Sequence, residues 1–510
     1  MIRTAMASVA ILALTACATA HDTVSAAVPA PVQSADSYFI KGHDAVAARA
    51  AARMPKKAKN VILFIGDGMG ISTITAARIY AGQKKGVDGE SYQLAMDKLP
   101  WSAFSKTYTH DSQVADSAPT ATAMTTGVKS YNGTLGVTQA ANLKDCASAK
   151  SSGTTSLWEM AEAAGMATGV ISTARLTHAT PAATYVETVE RDWESDADVS
   201  AAGKAAGCVD IAAQFLDWQK TNGDGFEVAL GDGRQNFLPN TMADPEYPDQ
   251  KGRRTDGRNL AEEWLDGHPE RKVTIGLSTF EQMNFDSDIQ VLGLFEPSHM
   301  QYDLDRAKDK RGEPSLAEMT EAAITRLSRN DKGYVLMVEG GRVDHGLHAG
   351  DAQRALGDAA ALDEAVAAAV ARTNPEETLI IVTADHSHTL MIQGYPDRGN
   401  PILGLVKEGG KVTLARDGKP YTTLSFANGP GSVCKPQADG KWLCDRPDLT
   451  NVDTGALGFQ QQALIPLGSE THGGEDVAIF AGGPGANPFS GVVEQDEIFH
   501  VMSQSLGLVK

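Results

Sequence analysis

The chain of 510 residues holds only five cysteines, and no two of them form a C-x-x-C pair. That argues against a thiolate zinc knot, which draws its ligands from closely spaced cysteines. Positive charge is also scarce: 45 Lys and Arg face 64 Asp and Glu, for a formal net charge of -19. This balance argues against a nucleic-acid backbone as a specific partner. It still admits a small anionic substrate, because metals or a local arginine reverse the field inside one cleft. No internal repeat or low-complexity tract stands out. With 42% hydrophobic and 21% charged residues, the composition is that of a globular chain.

The amino-terminal apolar run from Ala5 to Ala16 is too short to span a bilayer. Behind Arg3 it reads as an export signal over residues 1–17. "LTAC" at Leu14–Cys17 resembles a bacterial lipoprotein box, in which the cysteine is lipidated and becomes the mature N-terminus. A plain signal cut near Ala16 or Ala20 is the alternative. The expected location is the periplasm or cell surface, with one lipid at Cys17 tethering an otherwise soluble domain. Residues 18–36, small and Pro-containing, are expected to be a flexible tether. Export makes Cys146, Cys208, Cys434 and Cys444 an even set in an oxidising compartment. Of the three pairings open to them, a local Cys434–Cys444 clip with a longer Cys146–Cys208 link is favoured.

Beyond the tether, the alanine-rich Tyr38–Arg53 looks helical. Then "NVILFIGDG" (Asn60–Gly68), "ATGVIST" (Ala167–Thr173), "GYVLMVEGG" (Gly333–Gly341), "TLIIVTADH" (Thr378–His386) and "DVAIFAGG" (Asp476–Gly483) follow as barely alternating apolar runs. Such runs suit strands buried on both faces. Helical patterns lie between and after them at Ser315–Asn330, Asp351–Thr373 and Asp496–Leu506. The expected fold is α/β, a central and mainly parallel sheet flanked by helices on both faces. Residues 37–510 form one domain in this reading, with insertions at about 231–300 and about 390–465, where turn residues break the alternation.

Several of these runs end in acids or histidines: Asp67; Glu339, Asp344, His345 and His348; Asp385, His386 and His388. Ligands of open α/β sheets gather at the carboxyl ends of the strands, so these residues are expected to line one crevice. Carboxylate with imidazole favours zinc or a similar divalent ion. Asp344 and His348, four apart, share a face if their segment is helical. Elsewhere "VADSAPTATAMTTG" (Val114–Gly127) presents Ser117 behind Asp116, with no histidine nearby and without the G-x-S-x-G elbow. As a nucleophile, Ser117 needs an activator from another part of the chain.

Taken in order, "IGDGMG", "DSAPTATAMTTGVKSYNGTLGV", "VEGGRVDHGLH", "VTADHSH" and "THGGED" closely resemble the alkaline phosphatase family, from about Tyr38 to the C-terminus. "ADPEYPD" and "GLFEPSHMQYD" are similar to the animal enzymes. The resemblance implies hydrolysis of phosphate monoesters through a phosphoserine on Ser117, with two zinc ions and one magnesium ion. It assigns Asp344, His348 and His472 to the first zinc, and Asp67, Asp385 and His386 to the second. Magnesium would take Asp67, Thr180 and Glu339, so Asp67 bridges two ions. Arg191 would grip the phosphate, which suits a guanidinium fork. Asp116 would orient Arg191, and His178 and His345 are expected around the substrate. A calcium ion is implied at Glu246, Phe295 and Glu296; its last acid is Glu313, where the animal enzymes carry aspartate. The resemblance also implies a homodimer embraced by the Tyr38–Arg53 helix. Related phosphodiesterases and sulfatases are the alternative enzymes, but they use threonine or a modified cysteine as nucleophile. A non-catalytic phosphate-binding lipoprotein is the remaining alternative, and no ligand or nucleophile has been lost here.

Overall fold

The computed structural model describes residues 29–51 and 57–509. The export signal, Cys17 and positions 18–28 of the expected tether lie outside the described residues. The end of that tether is docked: Val32–Ala35 is a 3-10 turn whose buried Gln33 donates to Thr126 O at 2.7 Å and Thr155 O at 2.9 Å. The helix that follows, Ser37–Ala51, packs Phe39 against Phe499 and His500 of the carboxyl-terminal helix Glu497–Leu506.

Ten strands form the central sheet: β1 (Asn60–Gly66), β2 (Trp101–Lys106), β3 (Ala167–Arg175), β4 (Val228–Asp232), β5 (Arg271–Thr274), β6 (Gln290–Leu294), β7 (Tyr334–Gly340), β8 (Thr378–Ala384), β9 (Val477–Gly482) and β10 (Val492–Glu494). Their spatial order is β10-β2-β9-β8-β1-β7-β3-β4-β6-β5. Only β9 runs antiparallel to its neighbours; the other pairings are parallel. The sheet is therefore mainly parallel, as the apolar runs predict.

The missing alternation in those runs has a direct cause. Val61, Leu63 and Ile65 of β1 face one core, built with the helices Ser117–Thr126, Leu157–Ala164, Ile211–Thr221 and Glu497–Leu506. Ile62 and Phe64 face the other, built with Ile71–Lys84, Leu316–Leu327 and Ala352–Arg372. Each such side chain, withdrawn from water on its own side, contributes about 1.5–3 kcal/mol. The helices start where the sequence marks them. Ser315 and Glu318 form a reciprocal capping box, and Asp351 caps the long Ala352–Arg372 helix.

Residues 231–300 are more than an insertion, because β5 and β6 extend the sheet to one edge. Residues 390–465 carry a separate three-stranded sheet of Leu390–Ile392, Leu424–Gly429 and Ala463–Pro466, whose Leu390, Leu424, Phe426 and Ala463 join the second core. Cys146 is bonded to Cys208, and Cys434 to Cys444. Among the described residues no helix is long and apolar enough to cross a membrane.

Register sets the site. Gly66 pairs with Gly340 on one side and Ala384 on the other, and Glu339 pairs with Ile65 and Ser172. Asp67, Asp385 and Glu339 thus emerge side by side at the carboxyl ends of three adjacent central strands.

At the opposite end of β3, Glu162 is buried beside Thr168 and Glu227. Burial pushes its carboxyl up to about 9, against the Thr168 hydroxyl and with the help of Glu227. A carboxyl raised on folding contributes stability that is full below its unfolded pKa, about 4.3, and is lost as pH rises towards the folded value. Glu162→Gln is therefore expected to flatten the fall of thermal stability between about pH 5 and pH 9. Melting curves across that range check it, and an unchanged slope would contradict it.

Candidate active site

The helix Ser117–Thr126 is buried along its whole length. Its threonine hydroxyls are satisfied by its own backbone: Thr122 donates to Ala118 O at 2.9 Å and Thr125 to Ala121 O at 2.8 Å. Pro119 falls in the first turn, where a missing N–H costs nothing. Asp116 is the N-cap, and Gly127 ends the helix at φ 76°. Ser117 thus opens a helix whose N-terminal partial charge is positive, a setting that favours an anion.

Arg191 stands beside this end in a turn. One nitrogen of its guanidinium is paired with Asp116, and Nη2 donates to His178 Nε2 at 2.9 Å. Although burial opposes its charge, Asp116 keeps the guanidinium firmly protonated. Asp116 is held in turn by Gly133 N at 2.9 Å. His178 is buried and pushed well below the usual imidazole range, first by desolvation and then by Arg191. His345 is pushed down to about 3 by burial, and its Nδ1 lies 3.1 Å from Arg342 Nη1.

Two nests of acceptors flank Ser117. In the first, the helix Arg342–His348 does place Asp344 and His348 on one face, with Asp344 Oδ1 3.3 Å from His348 Nε2. His472 completes the set, its Nε2 3.1 Å from His348 Nε2 and 3.5 Å from Asp344 Oδ1. Both imidazoles present Nδ1 to a backbone carbonyl, His348 to Glu470 O and His472 to Ala115 O. A carbonyl only accepts, so each Nδ1 carries a proton and each Nε2 is turned inward as the available ligand atom. Two imidazole nitrogens and a carboxylate meeting at these distances form a ligand set for a divalent cation.

The second nest repeats this chemistry. His386 Nε2 lies 3.3 Å from Asp385 Oδ2, 3.4 Å from Asp67 Oδ1 and 3.1 Å from Ser117 Oγ. Burial, then His472, pushes His386 well below the usual imidazole range, into its neutral ligand form. Both oxygens of Asp67, Oδ2 of Asp385, Oε1 of Glu339 and Oγ1 of Thr180 are buried without a hydrogen-bond partner. Burial raises Asp67 well above the carboxylate range, and Asp385, Asp344 and Glu339 add to the shift. Ligand atoms of Asp67, His178 and Glu339 also lie within 4.8 Å of one another, with Glu339 pushed up to about 7 by burial. Orphaned buried acceptors are costly, and bound cations satisfy them. The donor set fits divalent metals at all three places.

His388 and Glu470 carry roles that the sequence reading did not give them. His388 Nε2 lies 2.6 Å from Asp344 Oδ1, and its Nδ1 pairs with the Glu470 carboxylate. Burial opposes protonation, but the hydrogen bonds to Asp344 and Glu470 raise its pKa to about 10. This imidazolium donates to Asp344 and has no free pair to offer a metal. Its place in "DHSH", two residues after His386, was the available signal.

At the expected calcium region Glu246 and Glu296 converge, and Asp309 joins them within 4.8 Å. The Phe295 carbonyl accepts Arg234 Nη1 at 2.7 Å, and Glu313 Oε1 accepts Gln301 N at 2.9 Å outside that trio.

Acceptor-only clusters beside a serine and an arginine, at the strand ends of a mainly parallel sheet, mark a metal-dependent hydrolase acting on phosphoryl groups. Residues 58–508 match the family model described as alkaline phosphatase. The chain is 44% identical over 452 residues to an alkaline phosphatase of Gadus morhua, covering 88% of this chain and 91% of that one. It is 44% identical over 452 residues to the tissue-nonspecific isozyme of Gallus gallus, covering 88% and 84%. Among solved structures, Thermus thermophilus alkaline phosphatase aligns with a TM-score of 0.62 at 25% identity, over 90% of this chain and 94% of that one. The enzyme of the Antarctic bacterium TAB5 shares the fold, with a TM-score of 0.60 at 22% identity over 89% and 100%. The chain belongs to the alkaline phosphatase family, and with it to the phosphate-monoester hydrolases.

Gly68 sits between the two nests at φ +66°, and a Cβ there would stand 2.3 Å from His388 Cδ2. Its N–H donates to Asp385 Oδ1 at 2.9 Å. Gly68→Ala is expected to displace His388 from Asp344 and weaken divalent-metal affinity by about tenfold to a hundredfold. Chelator competition measures this, and unaltered metal affinity would contradict the supporting role of His388.

Proposed function

We propose that the protein hydrolyses phosphate monoesters to alcohol and inorganic phosphate in two in-line displacements. The observation that carries this reading is the position of Ser117 Oγ, 3.1 Å from His386 Nε2 and beside Arg191, at the start of a buried helix. In the first displacement Ser117 Oγ forms a bond to phosphorus while the bond to the alcohol oxygen breaks. In the second, water forms the new bond and Ser117 Oγ leaves, so the serine is regenerated.

Asp344, His348 and His472 would hold one zinc, and Asp67, Asp385 and His386 the other. Asp67, Thr180 and Glu339 would hold magnesium, with His178 alongside. When bound, such ions supply Lewis acidity in place of a histidine base, lowering the pKa of the serine hydroxyl and offsetting charge on the departing oxygen. Arg191 clamps two phosphoryl oxygens, Asp116 fixes the clamp, and the helix N-terminus offsets their negative charge. His178 and His345, both held neutral, shape the wall behind the phosphate. Deprotonation of Ser117 favours basic pH, so turnover rises above neutrality.

For calcium, Glu246, Glu296 and Asp309 are the acids we assign, with Glu313 behind them. Export, a lipid at Cys17 and a homodimer complete the reading. Mass spectrometry of the mature N-terminus and light scattering read these points directly.

Ser117→Ala should lower turnover by about three orders of magnitude or more and abolish phosphoserine in acid-quenched labelling with a radiolabelled monoester. Retained turnover without label on Ser117 would overturn the scheme.

A further inference from the structure

Arg191 belongs to no helix or strand, so its aim depends on what pins the turn that carries it. Upstream, Arg191 N donates to Gly133 O at 2.8 Å. Downstream the pin is Glu194, three residues on, whose backbone carbonyl accepts Ala212 N at 3.2 Å. Its carboxylate is nearly buried and takes four donors. Arg175, the last residue of β3, supplies two of them, Nε to Oε2 and Nη2 to Oε1, both at 2.6 Å. Thr177 Oγ1 and Asn236 Nδ2 reach Oε2 at 2.6 and 3.1 Å.

The same arginine faces the other way with its remaining nitrogen. Arg175 Nη1 meets His299 Nε2, and lies 3.3 Å from Ser298 Oγ. The His299 ring lies 4.1 Å from that of His345 and 5.6 Å from that of His178, centroid to centroid. His178 is the ring that accepts Arg191 Nη2. One guanidinium therefore ties the backbone carrying Arg191 to the imidazoles against which the Arg191 side chain rests. A bidentate fork with both partners largely buried fixes direction as well as distance.

We infer that the Arg175–Glu194 pair positions the phosphate-gripping Arg191, through the fork between Arg175 and the Glu194 carboxylate on the turn. This rests on the phosphoryl role proposed for Arg191. Neither residue of the pair is among those proposed to hold the substrate. Their effect reaches the reaction only through the placement of Arg191, and a small misplacement of such a clamp is costly.

The test is a double-mutant cycle on the metal-loaded enzyme, reading KM, kcat and product inhibition by inorganic phosphate. Glu194→Ala and the isosteric Glu194→Gln are each made in the native and the Arg191→Ala backgrounds, with bound zinc counted in every variant. In the native background KM and the phosphate inhibition constant are expected to rise about tenfold, with a smaller change in kcat and undiminished zinc. Glu194→Asp should restore part of the loss. In the Arg191→Ala background neither substitution should weaken phosphate further. Unchanged phosphate inhibition in both Glu194 variants would overturn the inference, as would an equal loss in the two backgrounds. If Arg191→Ala alone leaves phosphate inhibition unaltered, the role of Arg191 fails first and the inference falls with it.

Discussion

Carboxylates do not crowd into a buried crevice unless positive charge gathers with them. Here Asp67, Asp385, Glu339 and Asp344 converge at the carboxyl ends of adjacent strands, and burial together with their mutual repulsion raises the first of them well out of the carboxylate range. The protein supplies two cations of its own. Arg191 is bound to Asp116, and the His388 imidazolium is locked between Asp344 and Glu470. Neither satisfies the two oxygens of Asp67 or Oδ2 of Asp385. The remaining charge must come from outside the chain, which is why the site is a metal site.

That requirement explains the odd serine. Ser117 has no base of its own because the His386 nitrogen facing it belongs to a nest of ligands. The residues after it are small because the helix they form is buried on every side, and its threonines turn their hydroxyls back onto their own carbonyls. The alanines let the helices Ala179–Ala182 and Glu497–Leu506 pack close against it, and Asp116 both caps it and holds Arg191. A single turn of chain thus sets Ser117, the proposed nucleophile, and Arg191, the proposed phosphate clamp, in register.

Much of this was legible in the sequence, for physical reasons. A strand between two cores must be apolar on both faces, so five such runs read plainly as strands, and the acids ending them read as ligands. The same two-sided burial carries no information about direction, so the antiparallel course of β9 could not be read from "DVAIFAGG". Strands β5 and β6 lie at an edge among turn residues and looked like insertion. His386 and His388 differ by two positions in "DHSH", yet one is neutral and the other charged. The hydrogen bonds of His388 to Asp344 and Glu470, from two distant segments, separate them. Arg175 and Glu194 likewise read as unremarkable charges until the fold brought the end of β3 against the turn after Arg191.

The central claim is that the two acceptor nests each hold a divalent ion. Anomalous diffraction from zinc-loaded crystals, collected at the zinc edge, tests it most directly. The account predicts one peak at about 2.0–2.2 Å from His348 Nε2, His472 Nε2 and an Asp344 oxygen, and a second at similar distance from Asp67, Asp385 and His386. His388 should bind neither. Empty nests, or a zinc ion coordinated by His388, would contradict it.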